Sequence, residues 1–256
     1  MRLSVIIITK NEAAHIGACL DSVAFADEWI VLDSGSTDAT CDIARRRGAR
    51  VEVTDDWPGF GLQKGRALAL ASGDWVLSVD ADERITPELA HEIQQVLLNP
   101  QADGYQIARL SNFCGRWIRH SGWWPDHVLR LFRRQSGHFT DDVVHEHVAV
   151  NGRVATLRHH FLHYPYASLE VFIDKINRYS TEAALKAHGQ GRRTSVLGPF
   201  GHGLWTFLRH YLFRCGFLDG WQGLVLAGMA ASGSFYRYVK LFWLNHRSSG
   251  HPPQNS

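Results

Sequence analysis

Apolar residues arrive along the first part of this chain in short bursts, and each burst stops at a polar turn. Residues 3–8 are a β-branched run that ends at Thr9-Lys10-Asn11-Glu12, and 13–23 then carries Ile16, Leu20 and Val23 at helical spacing. A strand at 29–32 runs into Asp33-Ser34-Gly35-Ser36-Thr37-Asp38. A helix over 39–47 follows, closed by Gly48, and a third strand covers 50–53. After a Trp-Pro-Gly-Phe-Gly loop at 57–61, a helix over 63–71 leads through Ser72-Gly73-Asp74 into a strand over 75–79. This rhythm predicts βαβ units with right-handed crossovers, an α/β class with a mostly parallel sheet flanked by helices. It also gathers three polar loops at the carboxyl ends of the strands, where open α/β sheets bind ligands.

The second half reads differently. Residues 168–187 form an amphipathic helix with Leu169, Phe172, Ile173, Ile176 and Tyr179 on one side, and Gly-Gln-Gly-Arg-Arg at 189–193 reads as a linker. Residues 196–244 are rich in Trp, Phe, Tyr and Leu, interrupted by Arg209, Arg214, Asp219, Arg237 and Lys240. The 17 uncharged residues of 220–236 fall short of the about 20 that a membrane span needs. Basic residues among aromatics predict helices lying in a membrane interface, drawn by anionic lipid; the competing reading is a helical pair packed on the first domain. The expected organisation is a domain at 1–165, a helical extension at 166–247 and a disordered tail at 248–256.

Composition narrows the class. With 256 residues, 45% of them hydrophobic, the chain can bury one α/β core of about 165 residues plus an appendage. A formal charge of only +2 argues against a general nucleic-acid binder. Cys19, Cys41, Cys114 and Cys215 are scattered, so neither a zinc ribbon nor a disulfide framework is indicated and a reducing compartment fits. Met1-Arg2 before the short run 3–8 is not expected to be a signal peptide.

The most specific chemistry sits at Asp80 and Asp82, spaced two apart where the strand over 75–79 ends. Mg²⁺ and Mn²⁺ prefer oxygen ligands, and Mg²⁺ takes only one or two protein carboxylates before completing its shell with water and phosphate oxygens. An Asp-X-Asp pair there reads as a clamp for a diphosphate; the plainer alternative is a solvated turn before the helix that starts near Thr86-Pro87-Glu88. Downstream, clustered aromatics with Gly and Arg at 113–125 suit a sugar platform better than a periodic core. Trp123 and Trp124 are candidates for acceptor contact, and Arg130 and Arg133 for a diphosphate or an anionic acceptor. The 15 histidines, clustered at His145, His147, His159, His160 and His163, raise a rival zinc-hydrolase reading, although no His-Glu-X-X-His motif is present. His145, His147 or His163 could equally supply one further ligand to a divalent ion.

Thr9-Lys-Asn-Glu12, Asp33-Ser-Gly-Ser-Thr-Asp38, Ala71-Ser-Gly-Asp74 and Asp80-Ala-Asp-Glu83, in that order and spacing, resemble the inverting glycosyltransferases of family 2 with the GT-A fold. With Gln63-Lys64, the wording is similar to bacterial lipopolysaccharide core β-1,4-glucosyltransferases. The resemblance covers roughly residues 1–165 and implies a Rossmann-like GT-A domain there, to which the chain's own pattern adds the helical extension expected at a membrane interface. It implies that the first three segments, with Thr9, Asn11, Glu12, Asp33, Ser34 and Lys64, bind the nucleotide of a UDP-sugar, and that Asp80 and Asp82 meet the ribose and an Mg²⁺ or Mn²⁺ ion. Many members carry a second Asp where this chain has Ser34, and usually Asn where it has Gly65.

Sugar transfer also needs a base, because an acceptor hydroxyl is a poor nucleophile at neutral pH. The resemblance points to the His145-Glu146 pair: Glu146 is the first choice, followed by Asp142 and Asp141. A Gln-X-X-Arg-Trp signature of polymerising relatives is absent, so a single addition is expected. The implied partners are a UDP-sugar and a lipopolysaccharide core or other lipid-linked acceptor, met by a peripheral protein on the cytoplasmic face of the inner membrane. A nucleotidyltransferase would share the fold logic but needs a Gly-rich basic phosphate loop where Thr9-Lys-Asn-Glu12 stands.

Overall fold

The structure, a computed structural model, describes residues 1–140, 147–165 and 168–247. They form two compact units, the first made of Met1–Ser111 with Pro125–Tyr164, the second of Asn112–Trp124 with the chain from Pro165 onward.

The first unit opens with β1 (Leu3–Thr9), α1 (Ile16–Ser22), β2 (Glu28–Asp33), α2 (Thr40–Arg46), β3 (Arg50–Val53), α3 (Phe60–Leu70) and β4 (Trp75–Ser78). Strand β1 pairs in parallel with both β2 and β4, and β3 lies outside β2. Val5 and Ile7 pack with Ile16, Leu20 and Val31 on one face, while Ile6 packs with Ile30, Ala67 and Val76 on the other. Burial on both faces is why β1 is apolar throughout instead of alternating. Helix α3 starts three residues before the expected position, since Gly59 takes φ 111°, which suits glycine, and Trp57 packs edge-on against Phe60 at 4.8 Å.

The unit continues through β5 (Glu83–Ile85), α4 (Pro87–Leu98), β6 (Gly104–Phe113), β7 (Arg116–Trp117), β8 (Asp126–Arg133), β9 (Gly137–Phe139), β10 (Val148–Val150) and β11 (Val154–His163). Helix α4 is capped by Thr86, whose hydroxyl accepts the Leu89 N–H at 3.2 Å, with Pro87 in its first turn. The main sheet runs β3-β2-β1-β4-β8-β6-β11-β5 among the described residues. Past β4 it is mixed instead of parallel: β8 is antiparallel to both β4 and β6, and β11 is parallel to β6 but antiparallel to β5. The cause is connectivity. No crossover helix separates β6 from β8, and a strand that returns without one pairs antiparallel.

In the second unit α5 (Leu169–Gly189), α6 (Gly198–Leu208) and α7 (Gly220–Arg247) join the excursion at 112–124. Phe113, Ile118, Phe172 and Leu226 form one small core, and Ala184, Ala187 and Leu241 another. The buried Asp219 carboxylate accepts from the backbone N–H groups of Arg119 (3.2 Å) and His120 (3.0 Å) and from the Ser121 hydroxyl (3.0 Å), pinning 119–121. Lys240 Nζ donates to Asn177, Ser180 and Thr181, tying α7 to α5. No helix among the described residues is long and apolar enough to cross a membrane.

Candidate active site

The site is assembled at the carboxyl ends of β1, β2 and β4. The Thr9 hydroxyl donates to Asp33 Oδ2 at 2.8 Å, and Ser36 donates to the same carboxylate through both its N–H and its hydroxyl. Asn11, at φ 57°, donates its N–H to Ser36 Oγ and accepts the Thr37 N–H at 2.8 Å. Glu12 N–H donates to Thr40 Oγ1, and Ala13 N–H to Asp38 Oδ2. The loops after β1 and β2 are thus zipped together by short polar side chains, the reason both are rich in Ser, Thr, Asn and Asp. Gln63 Nε2 donates to Ser34 Oγ at 2.9 Å and Thr54 Oγ1 at 2.8 Å, docking α3 under the second loop.

At the end of β4 the two aspartates have different surroundings. Asp80 is gripped by two cations, Lys64 Nζ at 2.9 Å and an Arg130 guanidinium nitrogen at 2.7 Å, and its N–H donates to Glu83. The same Arg130 nitrogen also reaches Glu83. Burial works to raise the Asp80 pKa, but the Arg130 and Lys64 charges outweigh it and hold the carboxyl well below its usual range. Burial likewise opposes the Arg130 charge, and the two carboxylates more than restore it. Glu83, more deeply buried, is pushed up.

Asp82 faces a histidine. In register, His163 of β11 lies opposite Glu83 of β5 and beside Ser111 of β6, and Tyr164 N–H closes on the Asp82 carbonyl at 2.9 Å. His163 Nδ1 meets Ser111 Oγ at 3.0 Å and Nε2 stands 3.4 Å from Asp82 Oδ2. In the tautomer whose Nδ1–H donates to Ser111, Nε2 keeps its lone pair beside the Asp82 carboxylate, and the two can serve as a donor pair for a divalent cation. Among the described residues no three His, Cys, Asp or Glu side chains cluster closely enough to cage an ion; an ion here would draw its remaining ligands from water and phosphate oxygens.

A profile of glycosyl transferase family 2 matches residues 4–161. The chain belongs to glycosyl transferase family 2. It is 32% identical over 260 residues to an uncharacterized glycosyltransferase of Rickettsia typhi, covering 96% of this chain and 89% of that one. It is 30% identical over 256 residues to the lipopolysaccharide core biosynthesis glycosyltransferase LpsC of Rhizobium meliloti, 93% of each chain. The crystal structure of S. aureus TarS 1–349 is similar at a TM-score of 0.50 and 18% identity, over 97% of this chain and 92% of that one, a likeness of fold alone. The first unit is accordingly a GT-A domain, and the enzyme is a glycosyltransferase.

The residues expected in the transferase's site have different surroundings. Asp33, expected to touch the donor, is fully buried with its oxygens spent on Thr9 and Ser36, so it shapes the loop. Thr9 and Ser34 are buried beside it in the same role, while Asn11 keeps an exposed side chain. Asp80, expected on the metal, has its two oxygens facing two cations, which leaves Asp82 and His163 as the better donor pair. Lys64 and Arg130, expected near a diphosphate, both pair with Asp80. Arg133 is not brought to this cluster: it pairs with Asp103 at 3.1 Å and lies over the Trp75 ring at the opposite end of β4. Trp123 and Trp124 belong to the second unit, where Trp123 packs edge-on against Phe113 and Phe172 and Trp124 lies under the Arg119 guanidinium. Asp141, Asp142, His145 and Glu146 lie outside the described residues.

Three contributors escaped the sequence reading. Glu83 and Ser111 support their neighbours from adjacent strands, and Arg84 clamps the turn by donating to the Ala81, Glu83 and His15 carbonyls. Only the Asp-Ala-Asp-Glu wording hinted at Glu83; nothing local marks Ser111 or Arg84.

Two measurements probe this cluster. Replacing Arg130 by Met leaves Asp80 and Glu83 buried with one cation fewer and is expected to cost about 3–5 kcal/mol in urea melts, part of it recovered in Arg130→Met/Glu83→Gln. For Glu12, burial and then the Asp82, Asp38 and Asp80 charges push the carboxyl up from 4.5 to about 7. The folded pKa exceeds the unfolded one, so Glu12 favours the folded state below about pH 4.5 and this support is lost as pH rises through 7. Glu12→Gln is therefore expected to melt as wild type does at pH 4.5 and to be more stable by roughly 1–3 kcal/mol at pH 8.5.

Proposed function

We propose that this transferase moves a hexose, glucose from UDP-glucose, onto a lipopolysaccharide core sugar such as heptose, with inversion and with Mg²⁺ or Mn²⁺ held by Asp82 and His163. The observation that carries the reading is the convergence of Glu12, Asp80, Asp82 and His163 at the carboxyl edge of β1 and β4. Glu12 sits at a raised pKa there, first because it is partly buried and then because the Asp82, Asp38 and Asp80 charges lie near it, a setting that favours a cation brought with a diphosphate. The LpsC likeness supports a lipopolysaccharide acceptor. When bound, the ion supplies Lewis-acid stabilisation of the departing diphosphate. The protein's own residues do the rest. The zipped loops after β1 and β2 present backbone groups to the nucleotide. Lys64 and Arg130 fix Asp80, so the Asp80–Asp82 turn is rigid before substrate arrives. Glu146 is assigned the acceptor proton, the base that inversion requires. Family membership favours transfer over the nucleotidyltransferase and zinc-hydrolase alternatives.

The place of work in this reading is the cytoplasmic face of the inner membrane, with peripheral contact. Calorimetry with UDP-, GDP- and dTDP-sugars, with and without Mn²⁺, tests the donor: UDP-glucose is expected to bind, and more tightly with Mn²⁺. Preference for a GDP- or dTDP-sugar, or affinity indifferent to the metal, overturns it.

A further inference from the structure

Helix α6 of the second unit is built inside out. It buries Pro199 and Gly203, and a side chain at Gly203 would meet the Ala231 carbonyl and Phe235 Cβ of α7 at 3.5 Å, so small residues mark the packed face. Leu197, just before the helix, and Phe200, Leu204 and Trp205 within it are 56–72% exposed. Phe213, shortly after α6, and Trp221, in the first turn of α7, are 68% and 60% exposed. Residues 197, 200 and 204 repeat at the helical three-four interval, so they form a stripe. A water-facing helix has the opposite pattern, and a contiguous apolar stripe of this kind marks contact with something apolar.

The charges say what. From residue 183 to 247 the sole acid is Asp219, which is buried and spent on 119–121. Over the same stretch Arg192, Arg193, Arg209 and Arg214 are exposed. An apolar, aromatic stretch that carries exposed arginines and, within residues 183–247, no exposed carboxylate complements an anionic lipid surface, and the want of a spanning helix among the described residues is consistent with lying on it.

We propose that this face is a docking surface for an anionic bilayer, in which Leu204, Trp205, Phe213 and Trp221 enter the headgroup–acyl boundary and the arginines meet lipid phosphates. The proposal deepens the peripheral-membrane part of the proposed function; its test reads vesicle binding and not sugar transfer, so each can fail separately.

The test is flotation of the full chain with phosphatidylcholine vesicles, with and without phosphatidylglycerol. Binding is expected to be at least about tenfold stronger on the anionic vesicles and to weaken with salt. The variant Leu197→Gln/Leu204→Gln/Trp205→Gln changes only exposed positions and is expected to keep the wild-type melting curve while losing binding about tenfold or more. Arg209→Gln/Arg214→Gln is expected to reduce the preference for anionic over neutral vesicles. Wild type that stays with the unbound fraction overturns the proposal, as does a triple variant that binds as well as wild type. Sedimentation equilibrium showing a wild-type dimer that the triple variant dissociates would assign the face to a second copy and overturn it too.

Discussion

Asp82→Asn is expected to lower kcat/KM by about 10²–10³-fold and to abolish the strengthening of UDP binding by Mn²⁺. The substitution keeps the side chain's shape, and the turn is held from elsewhere: the Tyr164 N–H bonds the Asp82 backbone carbonyl, and Arg84 clamps the carbonyls on either side. What disappears is one negative charge opposite His163 Nε2. The loss should therefore fall on metal-linked donor binding, read by calorimetry, while the melting temperature without ligand stays near wild type. His163→Ala should move the same quantity in the same direction, because the ion would lose its other protein ligand. If Mn²⁺ strengthened UDP binding equally in wild type and Asp82→Asn, the assignment of the ion to this pair would fail.

Glu146→Gln should do the reverse. A general base contributes nothing to holding the nucleotide, so UDP-glucose and Mn²⁺ affinities should remain near wild type while turnover falls about 10²–10⁴-fold. The variant should also lose the acidic limb of the kcat–pH profile, since an amide has no proton-accepting state to titrate. Asp142→Asn is the matched comparison: whichever of the two keeps binding but flattens that limb holds the base. Full turnover in Glu146→Gln with a flattened limb in Asp142→Asn would move the role to Asp142.

The parts of the fold carried by short-range periodicity were legible. Strands β1 to β4 and the helices between them follow from β-branched runs, turn residues and helical spacing, all signals within a dozen residues of one another. The antiparallel insertion of β8 between β4 and β6 was not, because strand order depends on which edges meet, and the segment 126–133 looks the same whichever neighbour it takes. The site divides in the same way. Asp80 and Asp82 could be picked out as chemistry from their place after a strand, but their different duties could not. Asp80 is neutralised by Lys64, 16 positions before it, and Arg130, 50 positions after it, whereas Asp82 meets His163 on a strand far along the chain. The two arginines divide in the same way. Arg130 and Arg133 lie three apart on one strand, yet one turns into a buried triad at the carboxyl edge and the other pairs with Asp103 at the far end.

The order of elements, the loops that gather at one edge of the sheet and the acids placed there are properties of the chain, since each rests on neighbours a few bonds away. Which carboxylate is matched by fixed cations and which stands beside an imidazole was decided only by tertiary pairing. Charges separated by tens of residues interact according to distance through space, and that distance is set by strand register: the ladder of β5, β11 and β6 puts Ser111, His163 and Asp82 within reach of one another.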